Sequence, residues 1–433
     1  MDPSISAAQA GGDAPPPRDA FPPGEATKGK PTMVTIDELA DMLEKGSLYD
    51  HPEGMKTDSS TTLVKAYMLK NEPEFGRLME FRVRGWVENK AMGDAFFKRQ
   101  RERADTADEE GENKFYNMML QIADEMHEMT GAFDLTAHDE EGIKVLDICM
   151  APGGYTRAVL KKHKMAKCYA ITLHPKDGGH IIRMHTKLLA GLRFADVTML
   201  KNEFWDDRQI PATHPSPSSF IGLRPFKHDQ FDLVFCDGMV LRTQNRPSWR
   251  EENEAKRLSC SQLLLSLKRV VSGGTIIMLL HKIDAWPSTQ ILYVFSKFAK
   301  VEVFKPVKKH GTRSSFYMIA KDVQADSEAA LTAIEDWKQD WWKATFGGPG
   351  GTGEVAEDTP ESEVLKVLEE FGPRLIEMGQ PLWKIQADAL SKTDYAGTGS
   401  AAGEWAGPST PRRPSDSKNW KENIRPMSPS SSE

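Results

Sequence analysis

No stretch of the 433 residues approaches the roughly 18 consecutive apolar positions of a membrane-crossing helix. The opening Met1-Asp2-Pro3 lacks the basic-then-apolar build of a leader, so an intracellular protein, nuclear or cytoplasmic and with no membrane partner, is expected. Cysteine is scarce. Cys149, Cys168, Cys236 and Cys260 stand far apart and form no CxxC pair, so buried thiols are expected in place of disulfides or a zinc site, and no metal is assigned. Positive charge is in deficit, with 56 Lys and Arg against 63 Asp and Glu. The deficit is uneven, because residues 141–322 hold 29 basic against 16 acidic residues and therefore form a basic segment between acidic flanks. Such a segment suits a polyanionic ligand, since phosphate contacts are made by Lys and Arg; an ordinary solvated surface is the alternative.

The centre of the chain carries Val145-Leu146-Asp147-Ile148-Cys149-Met150-Ala151-Pro152-Gly153-Gly154-Tyr155. An aliphatic run bounded by Pro-Gly-Gly and followed by a helical pattern over 155–164 predicts a buried parallel strand, a tight turn and a helix. In α/β folds of this kind ligands bind beyond the carboxyl ends of the strands, where the strand order reverses. This loop does not supply the G-x-G-x-x-G of a dinucleotide site.

Further strands are expected at 168–173, 197–200, 231–236, 275–280, 301–304 and 315–320, with helices over 180–190, 251–271 and 289–298 between them. The expected class is α/β: a Rossmann-like, seven-stranded, mostly parallel sheet within residues 141–323, its last strand made antiparallel by the short loop 305–314. Residues 1–33 and 396–433 are expected to be disordered ends, the latter with Thr410-Pro411 and Ser428-Pro429 as phosphorylation candidates. Residues 34–140 read as a helical extension. It begins at the capping box Thr35/Glu38, with a possible strand at 81–87 and a solvated helix or loop at 98–113. Residues 324–395 read as C-terminal helices. One is striped by Leu331, Ile334, Trp337 and Trp341, packing on the core or meeting a protein partner, and two shorter ones lie around 364–371 and 383–390.

The segments Ala151-Pro152-Gly153-Gly154-Tyr155-Thr156, Phe231 to Gly238, Gly273-Gly274 with the following Lys282, and Lys305-Pro306 followed by Arg313-Ser314-Ser315-Phe316-Tyr317 together resemble the FtsJ/RrmJ-type ribose 2′-O-methyltransferases. The resemblance implies S-adenosyl-L-methionine as cofactor and RNA as substrate and partner. It implies that Asp147 and the loop Ala151, Pro152, Gly153, Gly154 and Tyr155 cradle the methionine end, with Glu203 toward adenine and Asp237 beside the cofactor. From the family's Lys-Asp-Lys-Glu catalytic set it assigns Asp237, Lys282 and, as first lysine, Lys114, although Asn117 competes for that place. Ser315 stands where the family has glutamate, Lys282 comes later after Gly273-Gly274 than in relatives, and Ile171-Thr172-Leu173-His174 offers no ribose carboxylate. A catalytically degenerate domain that binds cofactor or RNA is thus the alternative. Arg242, Arg246, Trp249 and Arg250, and a second run of Lys305, Lys308, Lys309 and Arg313, are candidate RNA contacts. Packing of Trp249 on the sheet is the bland reading of the first group.

Overall fold

The computed structural model describes residues 58–397, apart from 107 and 206. The Thr35/Glu38 cap and both expected disordered ends, save residues 396 and 397, lie outside them. Seven strands, β1 (Lys144–Ile148), β2 (Lys167–Thr172), β3 (Leu189–Phe194), β4 (Phe231–Cys236), β5 (Val270–His281), β6 (Lys300–Phe304) and β7 (Ser315–Val323), form one sheet in the order β3-β2-β1-β4-β5-β7-β6. Pairing is parallel from β3 to β5, and β7 inserts antiparallel between β5 and β6. The expected class therefore holds.

Helices cover both faces. On one side lie α4 (Glu109–Thr130) and α5 (Gly154–Lys162), packed on Val145, Phe235, Ile277 and Ile319. The other side takes α1 (Ser59–Asn71), α2 (Pro73–Val83), α6 (Glu254–Arg269), α7 (Trp286–Phe295), α8 (Glu328–Phe346) and α9 (Glu361–Leu390), packed on Leu146, Val234, Cys236 and Met278. An additional helix, α3 (Lys90–Asp105), precedes α4.

Four local expectations are corrected. The third strand is Leu189–Phe194, not 197–200, and no helix spans 180–190. β3 is a half-exposed edge strand with a weak apolar signal, whereas Val197–Met199 is a buried 3-10 turn whose burial mimics a strand. Residues 81–87 are helical, finishing α2 and continuing in the π turn Arg84–Glu88. The two helices expected around 364–371 and 383–390 are one, α9, with Pro373 and Pro381 inside it. An interior proline costs about 3 kcal/mol; the uninterrupted stripe Val364, Leu368, Phe371, Leu375, Leu382 and Trp383, buried against α1 and α2, offsets that. The tryptophan stripe of α8 packs into the core, with Trp341 fully buried against Phe204.

Candidate functional site

The strand order reverses between β1 and β4, so the loops that leave these strands splay apart and open a crevice. A cavity of about 230 Å³ lies there. Its wall combines Phe115, Met118, Met119 and Ile122 of α4 with Cys149, Ala151 and Tyr155 of the first loop. Thr172, His180, Asp196 and Thr198 close it beyond β2 and β3, and Asp237 to Leu241 beyond β4; Leu279, His310, Arg313 and Tyr317 also line it, with Gln244 and Glu254. The lining is chiefly apolar with a few converging polar groups, the usual make-up of a small-molecule site.

Two glycines set the shape of the first loop. Gly153 caps α5 at φ 101°, a conformation that side chains disfavour. A Cβ on Gly154 would lie 2.4 Å from the Met119 Cβ and 3.0 Å from the Tyr116 carbonyl oxygen, so only glycine lets the loop touch α4. Beneath the loop Asp147 is 1% exposed and accepts the Thr156 hydroxyl at 2.5 Å. Burial pushes its carboxyl up to about 7.

Asp237 ends β4 on the same face of the sheet. Burial, with Asp147 nearby, holds its carboxyl well above the ordinary value, although the Tyr317 hydroxyl donates to it. The Tyr155 and Tyr317 hydroxyls share a further hydrogen bond. The Asp237 Oδ1 is out of contact with solvent and has no hydrogen-bond partner among the described residues. A buried carboxyl oxygen left unmatched in a cavity wall can accept from a cation or N–H donor, which would offset the cost of burying it.

Residues 123–323 match the FtsJ-like methyltransferase family model. This part of the chain is an FtsJ-like methyltransferase domain. Among solved structures, one described as a ribosomal RNA methyltransferase of Plasmodium falciparum is 15% identical, covering 47% of this chain and 96% of its own at a TM-score of 0.30. An rRNA methylase of Streptococcus thermophilus is 12% identical over 49% of this chain and 95% of its own, TM-score 0.27. A methyltransferase of Streptococcus mutans in complex with SAH is 11% identical over 46% and 97%, TM-score 0.27. No curated protein matches the chain.

Within the FtsJ-like domain the residues assigned to the cofactor separate into groups. Ala151, Tyr155 and Asp237 line the cavity, while Asp147, Pro152, Gly153 and Gly154 shape the loop without lining it. Glu203 lies elsewhere, buried in a separate recess between Lys268 (2.8 Å) and Arg269 (2.7 Å), so two cations already neutralise it. The carboxylate at the cavity beyond β3 is Asp196. Burial works to raise it and Arg250 more than offsets this, leaving it below its ordinary value. Arg250 Nη2 (2.8 Å) and Gln244 Nε2 (2.9 Å) both donate to its Oδ2. Asp196 thereby braces the loop instead of presenting a free charge. Its position straight after Phe194-Ala195 was the available signal, hidden by the misplaced third strand.

The lysines do not converge. Lys114 is exposed on α4 and paired with Glu110 at 2.7 Å; Asn117 is exposed, and neither lines the cavity. Along β5, Met278 and Leu280 enter one core while Ile277 and Leu279 enter the other, so Leu279 is the residue of this strand at the cavity. Lys282 lies an odd three positions further on, past the strand end, at φ 49° with its N–H donating to the Ser314 carbonyl at 2.9 Å, and does not line the cavity. No lysine does. Ser315 is buried with its hydroxyl 3.1 Å from His310 Nδ1. Burial, then Arg313 and Lys305, hold His310 down to about 3, so a neutral imidazole faces the cavity.

The first basic group is largely structural. Trp249 packs on His214 at 4.5 Å and under Arg257 at 5.0 Å, Arg250 is buried against Asp196 and Glu254, and Arg246 pairs with Glu251 at 3.0 Å. In the second group Lys305 is also buried, its ammonium donating to the Arg313 and Ser315 carbonyls. Burial and Arg82 push it down to about 7. Lys308, Lys309 and Arg313 remain exposed.

Proposed function

We propose that the cavity binds S-adenosyl-L-methionine and that the domain methylates RNA, with a ribose 2′-hydroxyl as acceptor. The observation that carries this reading is the unmatched Asp237 Oδ1 in the cavity wall, which complements a cationic cofactor end. Asp237 and the backbone beside Ala151 would hold that end; His180 and Thr198 line the far part of the cavity. When bound, the cofactor supplies an electrophilic methyl group. The protein contributes orientation through the Tyr155–Tyr317–Asp237 chain and proton acceptance through neutral His310 or ionised Asp237. With a value of about 3, His310 is a weak base, so positioning carries most of the rate.

One observation favours a second reading, a domain that binds cofactor and RNA without turnover: Leu279 and Ser315 stand where a lysine and a carboxylate would be needed. Calorimetric titration with S-adenosylmethionine tests the shared half. Tritium transfer from the cofactor to total cellular RNA, followed by alkaline hydrolysis, tests the rest. Label retained in alkali-stable dinucleotides supports ribose methylation; label absent from RNA despite cofactor binding selects the second reading.

A further inference from the structure

Helix α3 lies outside the family-matched residues, yet it is fixed across the rim of the cavity. Its inner face is anchored by Phe97 stacked on Trp86 at 5.5 Å and by Phe96 at 4.9 Å from Tyr395. Just before it, Asn89 Nδ2 donates to the Tyr395 carbonyl at 3.0 Å. Two contacts tie it to rim loops. Gln100 Oε1 accepts from Arg313 at 3.2 Å, and the Asp105 carboxylate accepts from Arg242 Nε and Nη2 at 3.1 and 2.7 Å. Arg313 itself and Leu241, next to Arg242, line the cavity.

α3 exposes Lys98, Arg99, Arg101 and Arg103 around its last two turns, Arg99 and Arg103 one turn apart on one side and Arg101 on the other. Glu102 meets only Lys98, at 3.9 Å, and Asp105 is taken by Arg242. Arg99 and Arg103 make no ion pair with any described residue, and Arg101 lies near Asp105, whose charge Arg242 already takes. The Gln100–Arg313 contact also brings α3 beside the segment bearing exposed Lys308 and Lys309. Arginines that are not neutralised internally, held on a rigid helix and leading to a cavity, match a chain of phosphates in charge and extension.

We infer that α3 is the docking track for the sugar-phosphate backbone of single-stranded RNA, guiding the acceptor strand to the cavity. This rests on the RNA reading of the proposed function. The test uses the full chain, a fluorescein-labelled single-stranded RNA of mixed sequence, anisotropy over a salt series, and calorimetry with S-adenosylmethionine. The triple variant Arg99→Gln, Arg101→Gln, Arg103→Gln keeps helix propensity. It is expected to bind RNA about tenfold or more weakly near 0.1 M salt, with the slope of log affinity against log salt reduced by about 2, as three lost phosphate contacts require. Cofactor affinity should not change. The Arg→Lys triple variant should retain affinity and slope. Native-like RNA binding by the Gln variant overturns the track, as does equal loss in the Lys variant, which would trace the effect to structure and not charge. A native chain that binds cofactor but no RNA overturns the RNA half of the proposed function and the track with it, leaving the cofactor half standing.

Discussion

Replacing Asp237 by Asn removes the charge at the cavity wall while keeping the side-chain shape and an oxygen that can accept from Tyr317. The native Oδ1 has no partner among the described residues, so a bound cationic group gains a charge-assisted buried hydrogen bond that the amide supplies only weakly. Such a bond contributes about 1.5–3 kcal/mol, so the Kd for S-adenosylmethionine should weaken roughly 10- to 150-fold. The pH dependence is a sharper signature. In the free protein burial and Asp147 hold the Asp237 carboxyl well above its ordinary value, and a bound cation favours the ionised form. Binding therefore releases a proton, and affinity should climb with pH, by up to about tenfold per pH step, until the free-state value is passed, then level off. Calorimetry in buffers of different ionisation enthalpy counts that proton directly. In Asp237→Asn the climb should shrink to the part belonging to Asp147. A variant that binds within about twofold of the native chain at every pH, with the same proton release, would refute the assignment of Asp237 as cofactor receptor.

Asp147→Asn should stabilise the cofactor-free protein at high pH. As an acid raised from 3.8 to about 7, Asp147 supports folding fully below the unfolded value, and that support is lost as pH rises toward 7. The interval corresponds to roughly 4 kcal/mol at most, so denaturant melts should favour the variant at pH 8 and not at pH 4. Lys282→Ala and Lys114→Ala should leave cofactor affinity and any methyl transfer within about twofold of native, since neither lines the cavity; a tenfold loss of transfer in tritium assays would show that the lysine reaches the acceptor in the complex. Leu279→Lys, which sets an ammonium at the β5 position facing the cavity, should raise transfer above the native rate if the missing lysine limits it, and an unchanged rate at unchanged cofactor affinity would say that it does not. Trp341→Ala should cost about 3–5 kcal/mol in equilibrium unfolding, because the fully buried ring also donates to the Thr198 carbonyl at 3.2 Å and so supports the cavity wall.

Much of the sheet was legible because β1 and β4, buried on both faces, are mainly apolar runs interrupted by Asp147 and Asp232, with their ends marked by Ile148-Cys149 and Cys236-Asp237. β3 was not. As an edge strand with half-exposed residues it carries no strong period, and the buried 3-10 turn after it imitates a strand by composition. With the third strand displaced, the carboxylate that follows it at the cavity, Asp196, was passed over in favour of Glu203, which lies in a separate recess. The continuity of α9 was hidden for a different reason: local breakers are visible in sequence, and the α1 and α2 surfaces that override them are not. The placement of Lys282 depended on strand parity, which the sequence stated but could not resolve until the φ of 49° fixed where β5 ends.

The domain boundary bears on what the Ala151-Pro152-Gly153-Gly154 loop can mean chemically. The family match begins at residue 123, inside α4, yet the cavity wall uses Phe115, Met118 and Met119 from before that point. Gly154 is confined by Met119 and the Tyr116 carbonyl, both protein atoms, so the glycine is required by helix packing whether or not a cofactor is bound. Gly153 is likewise required by its φ of 101° at the start of α5. An Ala-Pro-Gly-Gly loop can therefore serve as a structural joint in a chain whose lysines do not line the cavity. The loop is accordingly weak evidence for turnover. Asp237 differs, because no described neighbour satisfies its Oδ1, which is buried in the cavity wall. The unmatched carboxyl, more than the glycine loop, supports reading this cavity as a site for a cationic ligand.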